Sequence, residues 1–304
     1  MMISLQQVQK KFGARTVLDH LSLTVPRGEV FGLLGHNGAG KSTAIGLMLG
    51  QVWPTRGEVQ VCGYDVTTQR ARALRKVGAI FETPAFYDYL SGRRNLEILS
   101  HYSAPTRPER IREVVDWVGL TGREQTAVRT YSHGMRSRLA IAQALLPQPE
   151  LLILDEPSNG LDPEGIAEMR QTIARLHREL RLTILLSSHL LSEVEQLCSR
   201  IAVLNHGRKV FEGRIADIKA ACGRVLLKTP DFGAATTLLR ERGIISGAAD
   251  GESVMLKDGR TTAEALKVLV EANIAIEGIW PREQTLEDFY LDLVKASAPA
   301  AGRD

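Results

Sequence analysis

GHNGAGKST, at residues 35–43, is the stretch that decides the fold. Two glycines, Gly35 and Gly40, bracket four residues and are followed by Lys41 and Ser42, the spacing of a loop that cradles phosphate. Glycine lets successive backbone N–H groups turn inward around an anion, and the start of a helix adds its positive end. In such a loop Lys41 reaches the terminal phosphates, Ser42 offers its hydroxyl to Mg²⁺, and Asn37, Gly38 and Thr43 complete the contact with the nucleotide. The flanks have the character the motif needs, an apolar strand over 29–34 and helical apolar spacing over 43–49. A glycine turn into an ordinary helix would carry the same letters, so the rest of the chain must decide.

Outward from the loop, β-rich runs predict strands at 3–8, 21–25, 58–62, 77–81, 151–154, 183–186 and 200–204, with helical periodicity between several of them. This is the pattern of an α/β protein: a mixed β start, then a mostly parallel α/β core. Between 86 and 146 there is no convincing strand, and helices at 93–101, 108–118 and 135–146 make an all-helical insert. After residue 213 strands at 224–229, 253–257 and 274–279 alternate with helices at 232–242, 263–272 and 285–294, which implies a small separate α/β module. The expected domains are 1–215, with the insert over 86–146, and 216–304.

LLILDEP at 151–157 is four apolar residues of a buried strand ending in two carboxylates. Asp155 can hold Mg²⁺ through its hydration shell, and Glu156 can orient a water for in-line attack on a γ-phosphate. Surface carboxylates at a strand end are the plainer reading, and the phosphate loop argues against it.

Size and composition narrow the class. At 304 residues there is room for one large domain and a small one. No run approaches the length of a membrane-spanning helix, and the first residues lack a signal-peptide core, so the expected location is the cytoplasm. Cys62, Cys198 and Cys222 have no paired spacing and suggest neither disulfides nor zinc. Residues 216–304 hold 11 basic and 14 acidic side chains, and the rest of the chain holds 27 basic against 21 acidic. That excess suits an anionic ligand and falls short of the basic stripe of a duplex-binding domain, so no nucleic acid is expected.

The order of motifs over residues 3–213 resembles the nucleotide-binding ATPase subunit of an ATP-binding-cassette (ABC) transporter. YSHGM at 131–135 stands where that family has its signature segment, with Ser132 and Gly134 kept and His133 in place of glycine. The resemblance implies that Ser132 and Gly134 touch the γ-phosphate held by a second copy of the domain; a plain helix cap is the alternative. SNGLDP at 158–163 resembles the family's interface segment, with Asp162 its acidic member, and His189 resembles the switch histidine that contacts the γ-phosphate. Phe12 matches the aromatic residue on which adenine stacks, although a core phenylalanine reads the same way. Glu82 stands where the family usually has a Mg²⁺-reaching glutamine, and with PAFYDYLSG following it is similar to the bacitracin and lantibiotic-immunity branch of exporters.

What the resemblance implies is a P-loop ABC ATPase fold, ATP and Mg²⁺ as ligands, and catalysis by Lys41, Glu156 and His189. A homodimer sandwiching two ATP molecules would drive export of a small molecule or peptide antibiotic through separate integral-membrane permease subunits. The chain would sit peripherally on the inner face of the cell membrane. An ATP-dependent regulatory or signalling module with little transport function is the other reading. Chromosome-acting ABC ATPases need a long heptad-rich insertion and ribosome-acting ones two cassettes, and neither feature is present.

Overall fold

In the computed structural model of the protein all residues are described except 82–83, 104–105, 221–223, 250, 258, 283–284 and 298–304. In chain order the elements begin β1 (Ile3–Phe12), β2 (Arg15–Val25), β3 (Val30–Leu34), α1 (Lys41–Met48), β4 (Arg56–Val61), β5 (Tyr64–Asp65), α2 (Arg70–Leu74) and β6 (Val77–Ile80). The helices α3 (Gly92–Ser103), α4 (Pro108–Trp117) and α5 (His133–Leu145) follow, then β7 (Leu151–Asp155), α6 (Pro163–Leu180), β8 (Thr183–Ser188), α7 (Leu191–Leu197), β9 (Arg200–Asn205) and β10 (Arg208–Arg214). The chain continues through α8 (Ile215–Ala220), β11 (Arg224–Lys228), α9 (Phe232–Glu241), β12 (Ile245–Ala249), β13 (Ser253–Leu256), α10 (Thr262–Glu271), β14 (Gly278–Pro281) and α11 (Leu286–Ser297). These elements fall into two units, one of Met1–Ile215 together with the end of α11 from Leu293, and the other of Ala216–Asp292.

The first unit holds two sheets. One is six-stranded, in the order β10-β9-β3-β8-β7-β6, with β3, β6, β7, β8 and β9 parallel and β10 antiparallel on its edge. VFGLL of β3, LLILD of β7 and TILLSS of β8 are buried at every position. A parallel strand covered on both faces calls for such unbroken apolar runs. Leu34 pairs with Ser188 and Asp155 with Ser187, so the carboxyl ends of β3, β7 and β8 finish on one edge of the sheet. In open α/β sheets that edge is where ligands bind.

The second sheet is antiparallel, in the order β2-β1-β4-β5. Its apolar face, including Leu5, Leu21, Leu23 and Val59, joins Ile45, Leu47 and Met48 of α1 and Phe31 and Leu33 of β3 in one core. Each such fully buried side chain is worth roughly 1.5–3 kcal/mol of transfer free energy. Helix α7 lies close against β3: a Cβ at Gly32 would come 2.7 Å from Val194 Cγ1, so only glycine admits the helix at that distance. Among the described residues between 86 and 146 there is no named strand, only α3, α4, α5 and a 3-10 turn at Val128–Thr130.

The unit over Ala216–Asp292 has its own antiparallel sheet, β12-β13-β11-β14, around Val225, Leu227, Leu239, Ile245, Val254 and Leu269. A capping box between Thr261 and Glu264 starts α10. The strand expected at 274–279 forms instead at Gly278–Pro281. Ile274 is taken up in ending α10: Asn273 is left-handed with φ 56°, and the Ile274 N–H donates to the Leu269 carbonyl at 3.0 Å. That is a Schellman closure, a use of Asn-Ile that apolar spacing does not distinguish from a strand start.

Candidate functional site

The turn between β3 and α1 is the loop GHNGAGKST. Gly40 is the N-cap of α1 with φ 107°, and a Cβ there would meet Leu18 Cδ2 at 2.7 Å, so any other residue is both strained and obstructed. No side chain caps α1 at Gly40 and no acidic residue lies in its first turn, which leaves the positive helix end to an external anion. A cleft of about 570 Å³ opens over the loop, lined by Asn37, Gly38, Gly40, Lys41, Ser42 and Thr43 together with His36, Arg15, Val17, Glu156, Asn159 and His189. Gly35 is not on its wall; its carbonyl accepts a hydrogen bond from Lys41 Nζ at 2.7 Å.

Lys41 is only 6% exposed, and its ammonium lies 3.2 Å from Glu156 Oε1. The other oxygen, Glu156 Oε2, takes the His189 ring Nδ1 at 2.6 Å and the His189 backbone N–H at 3.4 Å. A carboxylate only accepts, so this contact puts the imidazole proton on Nδ1 and leaves Nε2 for another partner. Glu156 itself has φ 49°, a left-handed conformation costing about 1–3 kcal/mol in a residue of this kind. Its N–H donates to Ser187 Oγ at 3.0 Å, and the Ser187 hydroxyl in turn donates to Asp155 Oδ1 at 2.5 Å. The pair of carboxylates is therefore held from β8.

Ser132, Gly134 and Asp162 line a different cleft, of about 510 Å³, which also includes His133, Gly160 and Leu161. Ser132 caps α5, its Oγ accepting from Met135 N–H at 3.2 Å, and Asp162 caps α6, its Oδ1 accepting from Gly165 N–H at 2.9 Å. The two clefts share no residue, and the segment 156–162 runs from one to the other: Glu156 and Asn159 line the first, Gly160, Leu161 and Asp162 the second.

Phe12 ends β1, is 49% exposed as a residue, and has the Lys10 ammonium 4.6 Å from its ring centre. It is not among the residues lining the first cleft, where Arg15 and Val17 of β2 stand instead. Glu82 lies outside the described residues. The sequence offered no signal for Arg15, Val17 or Ser187, whereas Asn159 lay inside a motif already singled out.

For Mg²⁺ the donor chemistry is suitable. Ser42 and Asp155 offer hard oxygen atoms, and among the described residues no cluster of three or more His, Cys, Asp or Glu makes an all-protein cage. One or two protein oxygens completed by phosphate and water is how Mg²⁺ is commonly bound.

The sequence profile of the family described as ABC transporter matches residues 18–159. Over 292 residues the chain is 39% identical to the uncharacterized ABC transporter ATP-binding protein YhcH of Bacillus subtilis (strain 168), covering 96% of this chain and 95% of that one. It is 36% identical over 296 residues to the bacitracin transport ATP-binding protein BcrA of Bacillus licheniformis, covering 96% and 97% respectively. A solved structure described as the ATP binding subunit of an ABC transporter superposes with a TM-score of 0.63 at 30% identity, over 72% of this chain and 92% of that chain.

Proposed function

The chain belongs to the ABC transporter family as an ATP-binding subunit that hydrolyses ATP, and from that premise we propose that it powers export of a small molecule or peptide antibiotic through separate membrane subunits. The observation that carries the catalytic part is the Lys41–Glu156–His189 array, with contacts of 3.2 and 2.6 Å, at the mouth of the phosphate loop. Export of an antibiotic is supported by likeness to a relative named for bacitracin transport. Among the described residues no helix is long and apolar enough to cross a membrane. In this reading separate permease chains supply the pore, and this engine works on them from the cytoplasmic face.

In this reading the backbone N–H groups at the start of α1 hold the phosphates, and Lys41 neutralises charge on the β and γ groups. Ser42 and Asp155 would hold Mg²⁺, which supplies charge neutralisation across the phosphate oxygens. Glu156 orients the attacking water, and His189, fixed through Nδ1, presents Nε2 to the γ-phosphate. Phe12 offers its exposed ring to adenine. Ser132, Gly134 and Asp162 serve the nucleotide of a second copy, with the amino end of α5 aimed at its γ-phosphate. Closure of the pair on ATP and reopening after hydrolysis then moves the membrane partner.

The test is phosphate release by the purified chain together with its recovery from detergent-solubilised membranes. Turnover that depends on Glu156 and co-purification of a polytopic subunit are the expected results; hydrolysis without any such subunit would sink the transport reading.

A further inference from the structure

Glu193 takes no part in the chemistry above, and it is the most deeply held carboxylate beside it. It lies in the first turn of α7 and is only 2% exposed. The Ser158 hydroxyl donates to its Oε1, and the Ser188 hydroxyl donates to its Oε2 at 2.9 Å. Both serines are themselves buried, at 3% and 1% exposure. Ser188 Oγ also accepts the Leu190 N–H at 3.0 Å, so the two residues flanking His189 are tied to one hydroxyl.

The position of the two serines matters. Ser158 sits between Glu156 and Asn159, which line the first cleft, and its carbonyl accepts the N–H of Leu161, which lines the second, at 3.2 Å. Ser188 precedes His189 directly and ends β8, and the seat of α7 against β3 is fixed by the close approach at Gly32. One carboxylate thus holds both stretches of backbone that carry the Glu156–His189 pair. A buried carboxylate is costly unless its oxygens are satisfied. Here burial pushes the Glu193 carboxyl above its ordinary range while the two serine hydroxyls pull it back, so an apolar residue would be the cheaper choice if the position served packing alone.

We propose that Glu193 is a positioning residue for ATP hydrolysis, setting the Glu156–His189 geometry through Ser188 and linking it, through Ser158, to the turn that lines the second cleft. The proposal rests on the catalytic roles given to Glu156 and His189 above. A displacement of residues 160–162 is then felt at His189 through two short side-chain contacts rather than through the sheet.

The experiment uses the full chain and four proteins: wild type, Glu193→Gln, Ser158→Ala and the double variant. Glutamine keeps the volume of Glu193 and can accept only one of the two hydroxyl bonds. Steady-state hydrolysis against ATP concentration, binding of a fluorescent ADP analogue and thermal midpoint are measured on each. Each single variant should lower kcat by about 10- to 100-fold, the usual effect of loosening a supporting contact at a catalytic group, with KM and ADP affinity within about threefold of wild type. The double variant should fall no further than the worse single one, because the two changes cut the same tie. Unchanged kcat in both single variants overturns the proposal, as do additive losses in the double variant or a KM rising in step with the fall in kcat. If Glu193→Gln does not fold, Ser158→Ala alone decides by the same kcat criterion. A wild-type chain that binds ATP without hydrolysing it would instead overturn the catalytic reading, and Glu193 with it.

Discussion

The Lys41 ammonium stands 3.2 Å from Glu156 Oε1 while Glu156 Oε2 holds the His189 ring at 2.6 Å. The cation, carboxylate and imidazole to which we assign phosphate binding, water orientation and γ-phosphate contact are thus joined in one line of contacts, and a change at the middle member reaches both ends.

Glu156→Gln should keep the Nδ1 contact of His189 through its amide oxygen and remove the charge. Turnover should fall about 100- to 1000-fold with nucleotide binding retained, since water orientation is lost and the phosphate loop is untouched. ATP should also trap a dimer in size-exclusion chromatography. Wild-type turnover would remove Glu156 from the water-orienting role.

The separation of the two clefts allows a mixing test. Lys41→Ala disables the first cleft and Gly134→Asp the second, so each variant alone should be inactive. If each site is built from both copies, random pairing of the two inactive chains restores one sound site in half of the dimers, about a quarter of wild-type activity. Absence of any recovery on mixing would mean that the half-sites do not combine.

Gly40→Ala should destabilise the fold and weaken nucleotide binding together. Positive φ and the 2.7 Å approach of Leu18 Cδ2 act at once, at a cost of about 1–3 kcal/mol. Gly38→Ala, with φ 83° and nothing within 4 Å of the added methyl, should cost only the backbone part. Urea midpoints for the two variants check the difference, and equal midpoints would discount the contact with Leu18.

Removal of divalent cations with EDTA should abolish hydrolysis and leave nucleotide binding measurable, because Lys41 and the start of α1 act without a metal. Asp155→Asn should raise the Mg²⁺ concentration needed for half-maximal turnover. A requirement unchanged in that variant would take Asp155 out of the metal shell.

Glu150 offers a pH test outside the site. The Lys76 ammonium, and then Arg27 at 2.7 Å, hold its carboxyl below the ordinary range. A lowered folded-state pKa gives stability that is present at neutral pH and lost as the pH falls below the ordinary glutamate value of about 4.3. The pair is partly exposed, so Glu150→Gln should cost only about 0.5 kcal/mol at pH 7. The difference in melting between the two proteins should narrow as the pH falls below that value, and a difference that widens on acidification would reverse the sign argued here.

The parallel core was readable because its strands are buried on both faces: VFGLL, LLILD and TILLSS have no polar alternation and meet turns at each end. The phosphate loop was readable because its spacing encodes a backbone shape. Edge strands were less so. Arg208–Arg214 is half-exposed and follows no clear alternation, and its strand state comes from antiparallel pairing with β9. Ile245–Ala249, with serine, glycine and two alanines, has little β preference of its own and pairs with β13. Glu193 was invisible for another reason: LSEVEQL looks like a short solvated helix turn, and only tertiary packing buries the first of its two glutamates. The wall formed by Arg15 and Val17 depends on where the antiparallel sheet sits over the loop, which no local pattern records.

The six-stranded and β2-β1-β4-β5 sheets are complete by Arg214, and the β12-β13-β11-β14 sheet draws every strand from beyond that point. Among the described residues no ladder is shared across the boundary. The end of α11 from Leu293 nevertheless belongs with the first unit, so a chain cut after residue 215 keeps both of that unit's sheets and loses one of its helical ends. The module is an insertion between two parts of the engine, to be exchanged in evolution by splicing at two points, not one.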